Sequence, residues 1–414
     1  MGIRRRSRTS GTTLVSETGI SHAVALTRAS TATYFDGAGV LRTAAINEPR
    51  FDTNPGTLAR LGLRIEAAAR TNLCLQSEDL STTWLATRCS VVTNQAAAPD
   101  GATTMDKVIG LAVPVAFANV SQAIVSEGST QYSFSAFLKK STSIKMLFLI
   151  AATSTTWDKT VNFDTGALEA GSNTAPDDAV IENMGGGIYR VTITVTTGVA
   201  DLTLTPTAYI VPDGGSWASN SGVNDGFLMW GMQVEKGATR SSYIPTTTAA
   251  VTRAADVASA QIADLAFSQS PMTYLIHMDI DSILSTNTGM WVVSISESTV
   301  GNAHDLAFDD GTESLPRIFV YENYVAVGNI TAAAAVARTP FKIAWTVALN
   351  DVTVSKDGGA VVADTAVATL PTTLSVIKFG LRGDGSAPFM GHISRFTFFP
   401  NSRLPNEYLV GVTK

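Results

Sequence analysis

From about residue 130 onward, apolar and polar residues alternate with a period of two, the pattern of strands with one face buried. In Gln131–Lys140 (QYSFSAFLKK), Tyr132, Phe134, Ala136 and Leu138 face one way, and Ser133, Ser135 and Phe137 the other. In Ile188–Thr196 (IYRVTITVT), Ile188, Arg190, Thr192 and Thr194 fall on one face; Tyr189, Val191, Ile193 and Val195 form the apolar one. TVNFDTG ends a short strand at an Asp164-Thr165-Gly166 turn, and the β-branched and aromatic runs LTLTPTAYIV and FLMWGMQVEKG follow. Strands at this spacing, with turn residues between them and no helical period, predict a β-sandwich.

A second series begins after Thr246-Thr247-Thr248-Ala249-Ala250, a polar stretch suited to a linker. Its strands read MTYLIHMDID, GMWVVSIS, RIFVYEN, FKIAWTVAL, VTVSKDGGAVV, SVIKFGLRG and HISRFTFFP, with hairpin residues at Asn350-Asp351 and Asp357-Gly358-Gly359. PNEYLVGV predicts one short closing helix. Residues 1–70 differ from both series. The first stretch is basic and polar with no core pattern, TATYFDGAGVLRTA alternates around a hairpin signal at Asp36–Gly39, and LARLGLRIEAAARTNL reads as an amphipathic helix interrupted at Gly62. The pattern predicts an all-β chain with two tandem β-sandwiches after an extended N-terminal arm. The divisions are 1–70, 71–250 and 251–414.

Composition narrows the function classes. Of 414 residues, 45% are hydrophobic and only 15% charged, which argues against intrinsic disorder. The net charge of −6 disfavours nucleic-acid binding by the molecule as a whole. No apolar run follows the basic N-terminus, so no secretory signal is expected, and Arg6 breaks the myristoylation pattern. The most apolar stretch, KMLFLIAA, is far shorter than the roughly 20 residues that span a bilayer, so no membrane insertion is expected. Cys74 and Cys89 flank Trp84 and read as two unpaired, partly buried thiols.

Three segments carry a resemblance. LTRASTATYFDGAGVLRTAAINEPRFD (Leu26–Asp52) has a Thr-Arg-Ala-Ser run, a Tyr-x-Asp-x-x-Gly hairpin and a Pro-Arg-Phe-Asp stop. The other two are ARTNLCLQSEDLSTTW (Ala69–Trp84) and GMQVEKGATRSSYIPTTTAAVTRAAD (Gly231–Asp256). Together with a closing HISRFTFFPNSRLPNEYL, they resemble tailed-phage and gene-transfer-agent virion proteins that carry lectin-like modules. The resemblance implies a carbohydrate-binding-module-like jelly roll over 71–250 and a concanavalin/laminin-G-like sandwich over 251–414. Position on the virion and choice of ligand are not implied, since a fold does not fix a function.

Concanavalin-type sandwiches include glucanases, which need two carboxylates flanking the scissile bond. Period two puts His277, Asp279 and Asp281 on one face of MTYLIHMDID, with the acids about 6.5–7 Å apart. The glucanase-like families use a Glu-x-Asp-x-Glu strand, and this strand has neither glutamate. The face therefore reads as solvated polar surface, no catalytic residue is nominated, and the chain is expected not to be an enzyme. His22, His277, His304 and His392 are scattered and neither Cys lies in a C-x-x-C pair, so no metal ligand is nominated. Asp309-Asp310-Gly311 and Arg382-Gly383-Asp384-Gly385 offer oxygen ligands for calcium, the one cofactor considered, although Gly-Asp clusters are also turn chemistry. Arg382-Gly383-Asp384 reads as a turn and not as an adhesive tripeptide.

Pyranose rings present C–H faces that stack on aromatic side chains. Trp217, Trp84 and Trp157 lie in polar, turn-like surroundings and are the candidate ligand-binding residues. Trp230, Trp291 and Trp345 sit in apolar strands and read as core. Arg4, Arg5, Arg6 and Arg8 form a basic cluster suited to an attachment arm that pairs with acidic groups of neighbouring subunits.

The resulting expectation is a virion surface protein (head spike, fibre or tail component) assembled in the bacterial cytoplasm as a homo-oligomer. It would dock through its arm to capsid, portal or tail proteins and bind host surface polysaccharide. The alternative is a purely structural spike-base, decoration or minor tail protein with no glycan ligand. A polysaccharide depolymerase is the weakest reading.

Overall fold

The alternating runs become strands where their pattern places them. In the computed structural model, QYSFSAFLKK is the Gln131–Lys140 strand and IYRVTITVT the Ile188–Thr196 strand. LTLTPTAYIV and MTYLIHMDID give Thr203–Val211 and Met272–Ile280. The structure describes residues 11–111, 117–216, 218, 225–267, 269–281, 289–297, 299–308 and 314–414. Among these the chain is all-β apart from a 3-10 turn at Ile262–Asp264 and the expected closing helix, Asn406–Thr413. No helix among them is long and apolar enough to cross a membrane.

One sandwich pairs a six-stranded sheet, with Gly226–Lys236, Gln131–Lys140 and Ile188–Thr196 adjacent, with a seven-stranded sheet. The latter has Lys145–Ala151 between Thr156–Asn162 and Thr203–Val211. Tyr132, Phe134, Ala136 and Leu138 face Met146, Phe148 and Ile150 in a single apolar cluster, as the period-two pattern requires. The opposite face of the six-stranded sheet is also covered. Phe137 packs with Trp230 and Tyr243, and Arg190, Thr192 and Thr194 are buried. Cys74 and Cys89 are free and buried, and burial raises both thiols, Cys89 to about 11.

The other sandwich is assembled from both ends of the chain. Thr12–Ser16 and Arg60–Glu66 pair with Met390–Phe399, and Val24–Thr27 pairs with Val257–Gln261. The first sandwich is thus inserted between strands of the second. This corrects the expectation of an extended arm: the segment from residue 12 to 66 is built into two sheets, and the expected hairpin, Ala32–Phe35 with Leu41–Ala44, lies among them. Arg4, Arg5, Arg6 and Arg8 lie outside the described residues.

Two further expectations change. The segment read as a helix is the Arg60–Glu66 strand, whose last five residues are buried. Gly62 sits there at φ +97°, and a side chain at that position would meet the Ser394 backbone; what looked like a helix interruption is a close strand approach. The stretch read as a polar linker is held down. Thr246 Oγ1 donates to the Cys74 carbonyl at 2.5 Å, Thr247 accepts from the Gln76 amide, and Val251–Arg253 pairs with Arg70–Asn72.

Candidate functional site

Where the N-terminal segment meets both sandwiches, the chain buries charge. Glu66 and Asp256 are 0% exposed. Glu66 lies 2.8 Å from Arg50, 3.0 Å from Arg64 and 3.1 Å from Arg253, and it accepts from the Ser242 amide and hydroxyl at 2.6 and 2.7 Å. Asp256 accepts from Arg28 at 3.1 Å, Arg50 at 2.6 Å and the Glu66 amide at 2.9 Å. Burial by itself would raise the Glu66 carboxyl. The charges of Arg253, Arg64 and Arg50 overcome that and hold it well below the usual carboxylate range. Arg28, Arg50, Arg253 and Asp256 come from the segments that carry the family resemblance. Those segments supply four residues of the ion network that ties the sandwiches together, and the Arg60–Glu66 strand between them supplies Arg64 and Glu66.

The network continues to a cavity of about 440 Å³ at the junction. It is lined by Arg64, Asp279, Asp281 and His392 together with Asp52–Thr57, Val180–Met184, Arg190, Arg240, Ser242 and Tyr243. Arg64 pairs with Asp281 through both guanidinium nitrogens. His392 Nδ1 donates to Asp279 at 2.8 Å, and Nε2 donates to Asp52 at 3.1 Å. Burial would lower this imidazole, but the two carboxylates outweigh it and raise it to about 9, so His392 is a cation at neutral pH. Asp281, Asp52 and Glu182 are each held below the ordinary carboxylate range against a burial penalty. Arg64 does this for Asp281, His392 for Asp52 and Arg240 for Glu182.

Asp279, Asp281 and His392 each bring one atom within 4.8 Å of the others, a separation suited to a metal ion. Both imidazole nitrogens are engaged with carboxylates and Asp281 is taken by Arg64, so the cluster already neutralises itself. Nor do the shifted cavity acids supply the protonated carboxyl of a glycoside hydrolysis, because all three are held ionised. The arrangement alternates fixed hydrogen-bond acceptors with fixed donors around a cavity large enough for a small ligand.

The sequence-based site residues fare differently. Asp279 and Asp281 do share a face, but that face is not solvated: Asp279 is 7% exposed and both acids line the cavity. Trp84 and Trp157 are each 5% exposed and belong to the apolar cluster of the inserted sandwich, so neither can stack on a sugar. Their polar sequence neighbours misled, because the loop residues around Trp84 fold over it and its Nε1 donates to the Gln76 carbonyl. Trp217 and Asp309-Asp310-Gly311 lie outside the described residues. Trp230, Trp291 and Trp345 are core, as expected. Asp384 accepts from the Ser386 amide and hydroxyl, the turn chemistry anticipated for Arg382–Gly385. Sequence reasoning missed Arg64, Asp52, Glu182, Arg190 and His392. The available signal was charge placed inside otherwise apolar strands of a chain poor in charge.

No protein-family model matches the chain, and no curated protein matches it. Among solved structures it is similar to the Ruminococcus gnavus IT-sialidase CBM40 bound to α2,3-sialyllactose (16% identity, 36% of this chain and 84% of that one, TM-score 0.29). It is also similar to Trypanosoma rangeli sialidase (14% identity, 79% of this chain and 62% of that one, TM-score 0.31). A third is the enzymatically active domain of bacteriophage CBA120 tailspike protein 4 (15% identity, 40% of this chain and 21% of that one, TM-score 0.25). The chain thus spans less than two thirds of the sialidase and of the tailspike domain. At these scores the likenesses are slight, and the all-β assignment stands on the strands themselves.

Proposed function

We propose that this chain is a saccharide-binding surface protein of a phage-type virion, and that the junction cavity is its ligand site. The observation that carries the binding half is the cavity itself. About 440 Å³ are walled by acceptors and donors that ion pairs fix in place, which suits the hydroxyl pattern of a sugar. The virion half is supported by the resemblance of Leu26–Asp52, Ala69–Trp84 and Gly231–Asp256 to virion proteins. On this reading the chain is assembled in the bacterial cytoplasm, joins capsid, portal or tail proteins as a symmetric oligomer, and meets host surface polysaccharide.

Arg338 is the residue to probe first. It is exposed at the cavity mouth, holds a left-handed backbone (φ +59°) and reaches Asp178 of the inserted sandwich at 3.3 Å. The full chain, tested on an array of host-envelope glycans, is expected to bind a subset, and Arg338→Ala to weaken that binding roughly fivefold. No binding to any envelope glycan at millimolar sugar, with the chain folded, refutes the adhesive role and leaves the purely structural one.

A further inference from the structure

The charged residues that line the junction cavity can be paired off. Arg64 has Asp281, Arg240 has Glu182 at 2.5 Å, Arg338 has Asp178, and His392 has Asp279 and Asp52. One cation is left over. Arg190 is 2% exposed, and among the described residues it makes no ion pair with a carboxylate. Its Nη2 donates only to the Ser135 hydroxyl at 3.2 Å and the Ser241 carbonyl at 3.3 Å, and its Nε has no partner. The guanidinium lies over the Phe137 ring, 4.9 Å from the centroid, which shields it from water on that side.

A buried guanidinium is costly to keep without a counter-charge. Its cross-strand neighbour Glu182 would be the natural partner, but Arg240 has taken that carboxylate. Burial and the nearby charge of Arg240 accordingly push Arg190 down to about 9, which still leaves it charged at neutral pH. The other cations of the cavity each hold a carboxylate, so the group left to take one from a ligand is Arg190, whose guanidinium can grip it through two parallel N–H donors.

We infer that the saccharide bound in the junction cavity is an acidic one, and that its carboxylate completes the missing ion pair of Arg190. The inference rests on the proposed saccharide-binding role and narrows it to uronate-type sugars. Neutral sugars could use the surrounding donors and acceptors but would leave Arg190 unpaired.

The test uses the full chain and four probes: the methyl glycosides of glucuronic and galacturonic acid and those of glucose and galactose. Isothermal titration at moderate salt should show at least one uronate binding about tenfold more tightly than its neutral counterpart. Arg190→Met should erase that preference while leaving the thermal midpoint unchanged or raised, because removing an unpaired buried charge relieves a cost. Should Arg190→Met fail to fold, Arg190 is a structural group and the inference falls, unless Arg190→Lys folds with a weakened uronate preference. Equal affinity for uronate and neutral sugar in the wild-type chain overturns the inference and leaves the saccharide-binding reading standing. Binding of none of the four overturns the inference, and the glycan array alone then decides the saccharide-binding reading.

Discussion

Between the sheets of the inserted sandwich, Phe134, Phe148, Ile193 and Val234 are buried in an apolar cluster. At the junction Arg28, Arg50, Glu66, Arg253 and Asp256 are buried just as deeply, at 0–1% exposure. Apolar burial is non-directional, so the first region asks only for volume and pattern. A buried ion network tolerates one arrangement of partners, because any group left over faces the full desolvation cost. The difference assigns the two regions separate tasks. The apolar cluster supplies the bulk of the stability of the inserted unit, and the network fixes how that unit, the N-terminal segment and the second sandwich sit on one another. The cavity inherits its geometry from the network.

Volume-conserving substitutions separate the two regimes. Glu66→Gln keeps the shape but removes the charge that serves Arg50, Arg64 and Arg253, and it should cost about 3–5 kcal/mol in urea unfolding. A loss below about 1 kcal/mol would mean that the network is decoration. The next largest effect is set by pH. His392 holds its proton to about 9 in the folded chain against an ordinary value of 6.5, so the folded state binds protons more tightly than the unfolded one. Its contribution is whole below about pH 6.5 and fades as pH rises through 9; the full shift corresponds to on the order of 3 kcal/mol. Unfolding curves at pH 6.5 and 9.5 should show this drop, and His392→Gln should flatten it. At the small end, Ile193→Leu in the apolar cluster should cost less than about 1.5 kcal/mol. If it costs as much as Glu66→Gln, the contrast drawn between the regions is wrong.

How far the sequence reaches follows the same division. Strands such as Gln131–Lys140 and Met272–Ile280 were legible to the residue or nearly so, because polar and apolar residues recur along them with a period of two even though both faces are covered. The Arg60–Glu66 strand carries the same period, with Leu61, Leu63 and Ile65 between Arg60, Gly62, Arg64 and Glu66, but joined to the alanines that follow it the stretch also fits a helical face. The candidate site was half legible. Asp279 and Asp281 stood out as a pair, but their assignment to solvent failed because their partners come from far along the chain. Arg64 is 217 residues from Asp281, and His392 is 113 from Asp279. Local patterning carries no information on such contacts. Trp84 and Trp157 failed for a related reason, since a loop that looks wet in sequence can close over an aromatic ring.

The interrupted construction of the second sandwich sets an order of events during synthesis. Thr13 meets Thr397 across 384 residues, so the earliest strands leave the ribosome long before the strand they flank. At about 5–20 residues per second, that is roughly 20–80 s of waiting. The inserted unit has all its strands and can finish folding in that interval. Thr12–Ser16 and Arg60–Glu66 meanwhile carry open edges, the kind of surface to which chaperones and neighbouring nascent chains attach. Yield in a cell should therefore depend on what shelters those two strands until Met390–Phe399 is made.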